Sequence, residues 1–212
     1  MDDLIRQFIL LFTIIDPIGS VPVFIAITAG IDTTLRKRIA LRACAISAGV
    51  LLAFIYFGQY LLDGIGISLA AFRVAGSIVL FLFALDMIFG QSKPESEVHD
   101  AERARERAMD LAVYPMAIPS VAGPGSILAV MVLTDNTRYS IANQTVTAVL
   151  MLLVVAIVFV CMLLAGQIQR LIKDVGASII SRVMGLITAA IAVDGVLGGL
   201  REYFQDLVIF AQ

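Results

Sequence analysis

Apolar residues run along this chain in blocks too long and too unbroken for one face of a soluble helix. The longest uncharged stretches are Leu111 to Thr134 and Tyr139 to Gln169. A helix needs about 20 mainly apolar residues to cross roughly 30 Å of hydrocarbon, and both stretches are long enough. Six such blocks are legible: Leu4 to Ala29, Ile39 to Leu62, Leu69 to Phe89, Leu111 to Leu133, Ile141 to Ile168 and Ile179 to Leu200. Turn-forming residues separate them at Gly30-Ile-Asp-Thr-Thr, Asp63-Gly-Ile-Gly and Thr134-Asp-Asn-Thr, and a fourth break is expected over Gln169 to Gly176. The pattern predicts an all-α membrane protein with six transmembrane helices, its main partner the lipid bilayer.

Composition agrees. Hydrophobic residues make up 60% of the chain and charged residues 15%, against about 25% charged in soluble domains. Met1-Asp-Asp-Leu is acidic where a signal peptide is basic, so the first block is expected to stay in the mature protein. Cys44 and Cys161 have no CxxC spacing and read as buried small apolar residues, and His99 has no partner ligand nearby, so no metal or other cofactor is expected. A net charge of −2 gives no support for nucleic-acid binding. HExxH, P-loop, GxSxG and GxGxxG motifs are all missing, so neither an enzyme nor an ATP-driven pump is indicated.

Gln91 to Asp110 is the one long polar stretch, a mixed-charge solvated linker between residues 1–90 and 111–212. The basic residues orient the bundle. Arg6, Arg73, Arg138 and Arg201 fall on one side. Arg36, Lys37, Arg38, Arg42, Lys93, Arg103, Arg105, Arg107, Arg170, Lys173 and Arg182 fall on the other. Cytoplasmic loops are enriched in Lys and Arg, so the second side is expected inside and both termini outside.

The two halves echo one another. Pro17 and Pro22 recur 102 positions later as Pro119 and Pro124, and Arg36 recurs as Arg138. Arg73-Val-Ala-Gly76 returns as Arg182-Val-Met-Gly185, and Asp86 and Gly90 as Asp194 and Gly198. Three spans per half force the second copy to enter the membrane from the opposite side. The expected architecture is therefore two inverted three-helix repeats, an arrangement common in secondary transporters and also found in channels.

The chemistry concentrates at the prolines. A proline inside a helix lacks its N–H and clashes with the carbonyl four residues back, which predicts broken first and fourth helices. Broken backbone at membrane depth is tolerated only against protein or a wet cavity, where freed carbonyls and amides can bind a solute or ion. The candidate pathway residues are Asp16, Pro17, Gly19, Ser20 and Pro22 in the first half. Their counterparts in the second are Pro119, Ser120, Gly123, Pro124 and Ser126. Asp16 is the acid deepest within a span, and such an acid marks an ion or proton path, or a paired charge, or a cap on the restarting helix. Asp86, Asp194, Arg73 and Arg182 are secondary candidates, since their positions near span ends also suit interfacial anchoring.

Phe12-Thr-Ile-Ile-Asp-Pro-Ile-Gly-Ser-Val-Pro-Val-Phe24, Leu85-Asp-Met-Ile-Phe-Gly90 and Pro115-Met-Ala-Ile-Pro-Ser-Val-Ala-Gly-Pro-Gly-Ser126 together resemble the MarC family of prokaryotic inner-membrane proteins. The resemblance covers nearly the whole chain. It implies six spans in the cytoplasmic membrane of a prokaryote, and an archaeal branch of that family is described as transporting small neutral amino acids. It highlights Asp16, Pro17, Gly19, Pro22, Pro115, Pro119, Gly123 and Pro124. Many relatives carry Asn where this chain has Ser20, a difference that bears on solute preference. The functional expectation is a secondary transporter of a small polar solute, such as a small neutral amino acid, coupled to a proton or sodium ion. The alternative is a non-transporting membrane structural or assembly protein that docks partners through Gln91 to Asp110.

Overall fold

The computed structural model describes residues 2–89, 110–135 and 141–210, and within them the protein is entirely helical. The first apolar block gives two helices, α1 (Asp2–Ile15) and α2 (Ser20–Ile27). The chain leaves the helical region at Asp16, whose φ of +49° is left-handed, just before Pro17. A residue before proline is pushed out of the α region, and Asp tolerates the left-handed one better than most side chains. The long helix α3 (Thr33–Gly64) follows. It begins before the apolar block does, because Asp32 caps it by accepting the N–H groups of Thr34 and Leu35, each at 3.0 Å. Arg36, Lys37 and Arg38 therefore ride on its first turns. Helix α4 (Leu69–Phe89) completes the first half.

The fourth block breaks more thoroughly. In α5 (Ala112–Val121) the residues before two prolines, Tyr114 and Ile118, are extended, at φ −130° and −129°. The Ala122 N–H reaches back five residues to the Ala117 carbonyl, at 2.8 Å. Helix α6 (Pro124–Leu133) then leaves at a bend of 51°. Pro124 opens it at a position where a missing N–H costs nothing.

Helices α7 (Ile141–Leu163) and α8 (Ala165–Phe210) complete the chain. One expectation fails here. Gln169 to Gly176 is no break, because α8 runs through it without interruption for 46 residues. The segment contains no proline, and a helix can carry isolated charges without breaking. The turn comes earlier, at Leu164, whose carbonyl accepts the N–H groups of Gln167 (2.8 Å) and Ile168 (2.9 Å). Most of the linker Gln91 to Asp110 and Arg138 lie outside the described residues.

Four helices, α3, α4, α7 and the Ser178–Gln205 part of α8, together with the α1–α2 segment, are each long and apolar enough to cross a membrane, which makes five; the bent pair α5–α6, taken as one span, brings the number to six. The protein is thus an all-α, multi-spanning bundle. Its buried centre draws on α1 (Leu11, Ile15), α3 (Ile39, Leu51), α5 (Met116, Val121) and α7 (Met151, Val154, Val158). Cys44 is buried in it and Cys161 half-buried, both as free thiols. Helices α4 and α8 form an antiparallel pair at the edge, brought close by glycine. Gly185 faces Ala84 and Met87, Gly195 faces Ser77, and Gly199 faces Ala70 and Val74. Their outer faces carry large exposed apolar side chains such as Leu82, Phe83, Leu186 and Leu197, which suits contact with lipid.

Candidate functional site

The two proline breaks lie side by side. Helix α1 packs on α6 and α2 packs on α5, so each half of one broken span touches the opposite half of the other. Gly125, just past the second break, lets this happen. A side chain there would meet Leu80 of α4 and, at 3.3 Å, Ile14, two residues before the first break.

The first break is closed on itself by Asp16. Its Oδ1 accepts the Gly19 N–H at 2.9 Å. Its carbonyl accepts both the Ser20 N–H (3.1 Å) and the Ser20 hydroxyl (3.0 Å). Asp16 is half-buried, whereas Pro17 and Ser20 are buried. The geometry is that of a cap on a restarting helix, with one carboxylate oxygen, Oδ2, making no hydrogen bond to the described residues.

The second break has no acid and is sealed differently. The Ser126 hydroxyl donates to the Val121 carbonyl at 2.8 Å. Gly123 presses against the Pro119 carbonyl so closely that no side chain fits between them. Across the bundle, the Ser47 hydroxyl of α3 donates to the Ala43 carbonyl (2.9 Å) and reaches the Ala117 carbonyl inside the break (3.3 Å). Ser120 is half-buried, while Pro22, Pro119 and Pro124 are exposed.

The expected pathway residues therefore divide. Asp16, Gly19 and Ser20 form one hydrogen-bonded unit, and Gly123 and Ser126 line the other break. The hydroxyls of Ser20 and Ser126 are turned onto their own breaks' carbonyls. Of the secondary candidates, Arg73 forms an ion pair with Glu202 of α8 at 2.9 Å, over Gly198. Asp86, Arg182 and Asp194 lie exposed on α4 and α8, and none hydrogen-bonds to either break. Two features escaped the sequence reading. Ser47 sits in an apolar run, and its partner lies 70 positions away. Thr147 of α7 donates to the Gln7 side chain of α1 at 3.3 Å, a pairing 140 positions apart. A hydroxyl or amide within a span is the only hint the sequence offers of such contacts.

Two apolar segments, each broken at proline and packed against each other inside a bundle of long apolar helices, define a polytopic integral membrane protein. Among the described residues no group of three or more metal-binding side chains comes together. The chain belongs to the MarC family, since the model for the MarC family integral membrane protein matches residues 1–204. It is 37% identical over 198 residues to the UPF0056 membrane protein MJ1677 of Methanocaldococcus jannaschii, covering 93% of this chain and 95% of that one. It is 33% identical over 205 residues to the UPF0056 membrane protein YvbG of Bacillus subtilis, covering 96% and 97%. The UPF0056 inner membrane protein MarC of Salmonella arizonae is 27% identical over 206 residues, with 93% of each chain covered. No solved structure matches the chain.

Proposed function

We propose that this protein is a secondary transporter of a small polar solute, built from two inverted three-helix repeats. The observation that carries the reading is the pairing of the two breaks. The first span departs from helical geometry at Asp16 and the second at Tyr114 and again at Ile118, each before a proline, and Asp16 and Ile118 lie 102 positions apart. The helix contacts support the same reading. The contact of α1 with α7 has its counterpart in α5 with α3, and that of α2 with α8 in α6 with α4. A bundle of two such repeats would have two equivalent ways to open about its centre, which is what alternating access needs.

Small neutral amino acids are the cargo class to test first, with a proton or sodium ion as the coupling ion and Asp16 as the coupling group. The orientation is both termini outside the cytoplasm of a prokaryote and Gln91 to Asp110 inside, from the Lys and Arg distribution. Flux into proteoliposomes of a panel of small solutes, with and without an imposed proton or sodium gradient, tests the proposal. Saturable, gradient-dependent uptake of at least one solute is expected. A silent panel under every gradient sinks it.

A second reading has its own observation. Each break makes hydrogen bonds within itself, through Asp16 and Ser20 in the first and Ser126 in the second. That suits kinked helices whose work is packing, in a membrane structural or assembly protein. On this reading Asp16→Asn leaves function intact, while deleting most of Gln91 to Asp110 abolishes it.

A further inference from the structure

Away from the breaks, a pocket of about 270 Å³ opens where α2, the start of α3, the end of α7 and the start of α8 meet. We propose that this pocket binds a phosphate-bearing anion, and that its occupant is the headgroup of an anionic phospholipid.

The lining divides into two chemistries. Arg36, Lys37 and Arg170 supply three cations from two helices, with Thr33 and Gln167 as neutral hydrogen-bonding groups beside them. Among the described residues no carboxylate lines the pocket, and none of the three cations is in an ion pair. One oxygen of the nearby Asp32, Oδ1, accepts the Thr34 and Leu35 amides. Arg36 is held over the Phe24 ring, 5.7 Å from its centroid, which fixes the guanidinium without neutralising it. Guanidinium groups suit phosphate because their N–H donors match its oxygens in pairs.

The other wall is apolar and comes from the ends of spans. Phe24 and Met162 are buried, and Leu163 is exposed at the end of α7. Cations above an apolar wall, at the level where spans one and five end, match a lipid headgroup above its acyl chains better than a free ion. A basic pocket between helices at the cytoplasmic surface is a recognised setting for anionic headgroups. All three cations lie on the side that the Lys and Arg distribution places in the cytoplasm.

Gly166 offers a clean test. It lines the pocket, and a β-carbon added there meets nothing within 4 Å. Gly166→Glu therefore puts a carboxylate into the pocket without removing a cation. It also replaces a helical glycine by a better helix former, which favours folding.

The experiment is thermal stabilisation of purified, delipidated full-length protein in mixed micelles. The probes are phosphatidylglycerol, phosphatidylcholine and inorganic phosphate, since a ligand bound only by the folded state raises its stability. Phosphatidylglycerol is expected to stabilise the parent well beyond phosphatidylcholine. Arg36→Gln and Arg170→Gln should each weaken that response about fivefold in apparent affinity, and Gly166→Glu should abolish it. Arg38→Gln, which removes an equal charge from an exposed position outside the pocket, should behave as the parent. If inorganic phosphate stabilises as strongly and phosphatidylglycerol adds nothing, the anion site stands and the lipid assignment falls. If neither phosphatidylglycerol nor inorganic phosphate stabilises beyond phosphatidylcholine, or Gly166→Glu responds as the parent does, the pocket is no anion site.

Discussion

The carboxylate of Asp16 occupies the space where a side chain on Gly19 would have to go. Oδ1 accepts the Gly19 N–H at 2.9 Å, and a β-carbon on Gly19 would collide with Oδ2. Gly19 itself is helical, at φ −65°, so alanine there meets no backbone penalty and the conflict is purely with Asp16. Gly19→Ala is expected to displace the carboxylate and cost about 1–3 kcal/mol, the usual range for overpacking. Gly49→Ala, in α3 with nothing within 4 Å of the new methyl, should be neutral or stabilising. Thermal denaturation of the two variants in detergent gives the comparison. Equal midpoints would mean that Asp16 moves aside freely and its cap contributes little.

Asp16→Asn separates charge from shape. The amide oxygen can still accept the Gly19 N–H, so the variant should fold with a midpoint close to the parent's. If Asp16 is the coupling group, gradient-driven flux is lost while exchange at equal gradients is less affected. A gradient-driven rate within about twofold of the parent would leave Asp16 as a structural cap alone.

Ser47 ties α3 to the second break through Ala117. Removing its hydroxyl in Ser47→Ala deletes that tie but does not orphan the carbonyl, which still accepts the Ala122 N–H at 2.8 Å. The expected loss is about 1 kcal/mol, the ordinary net value of one hydrogen bond. A much larger loss in a denaturation series would show that the α5 break depends on this contact.

The α4–α8 pair should be intolerant of bulk on one face. A β-carbon on Gly199 would come within 3.0 Å of the Ala70 carbonyl and closer still to the Val74 side chain. Gly199→Leu must therefore push the helices apart, with an expected cost of about 1–3 kcal/mol or more. Gly49→Leu, placed in open space, is the control. Similar stability of the two would contradict the close packing.

Orientation can be read chemically. In a Cys44→Ala, Cys161→Ala background, Asp3→Cys should be labelled by an impermeant thiol reagent from outside the cell. Asp100→Cys should be labelled only after the cytoplasmic side is opened. The reverse pattern would invert the bundle and overturn the positive-inside reading.

Spans were legible because hydrocarbon thickness writes itself into sequence as runs of about 20 apolar residues. The breaks were legible for a related reason, since proline acts on its immediate neighbours and Pro17 and Pro119 mark Asp16 and Ile118 locally. What joins distant segments left weaker traces. Nothing next to Arg73 points to Glu202, and nothing next to Ser47 points to Ala117, because those pairings follow from how helices pack. The mistaken break at Gln169 to Gly176 has the same origin. Polar residues in a mostly apolar chain suggest a loop, yet a helix can carry them past the membrane surface unbroken.

That unbroken helix has a mechanical consequence. At about 1.5 Å per residue, the 46 residues of α8 form a rod of about 70 Å, more than twice the hydrocarbon thickness. Gly166 and Arg170 stand at one end of this rod, and Glu202, clasped to Arg73, stands near the other. Between them, Gly185, Gly195 and Gly199 hold α4 against the shaft. A tilt imposed where α8 meets the membrane surface would be carried along the shaft to the far side, with α4 travelling alongside as the second half of one lever.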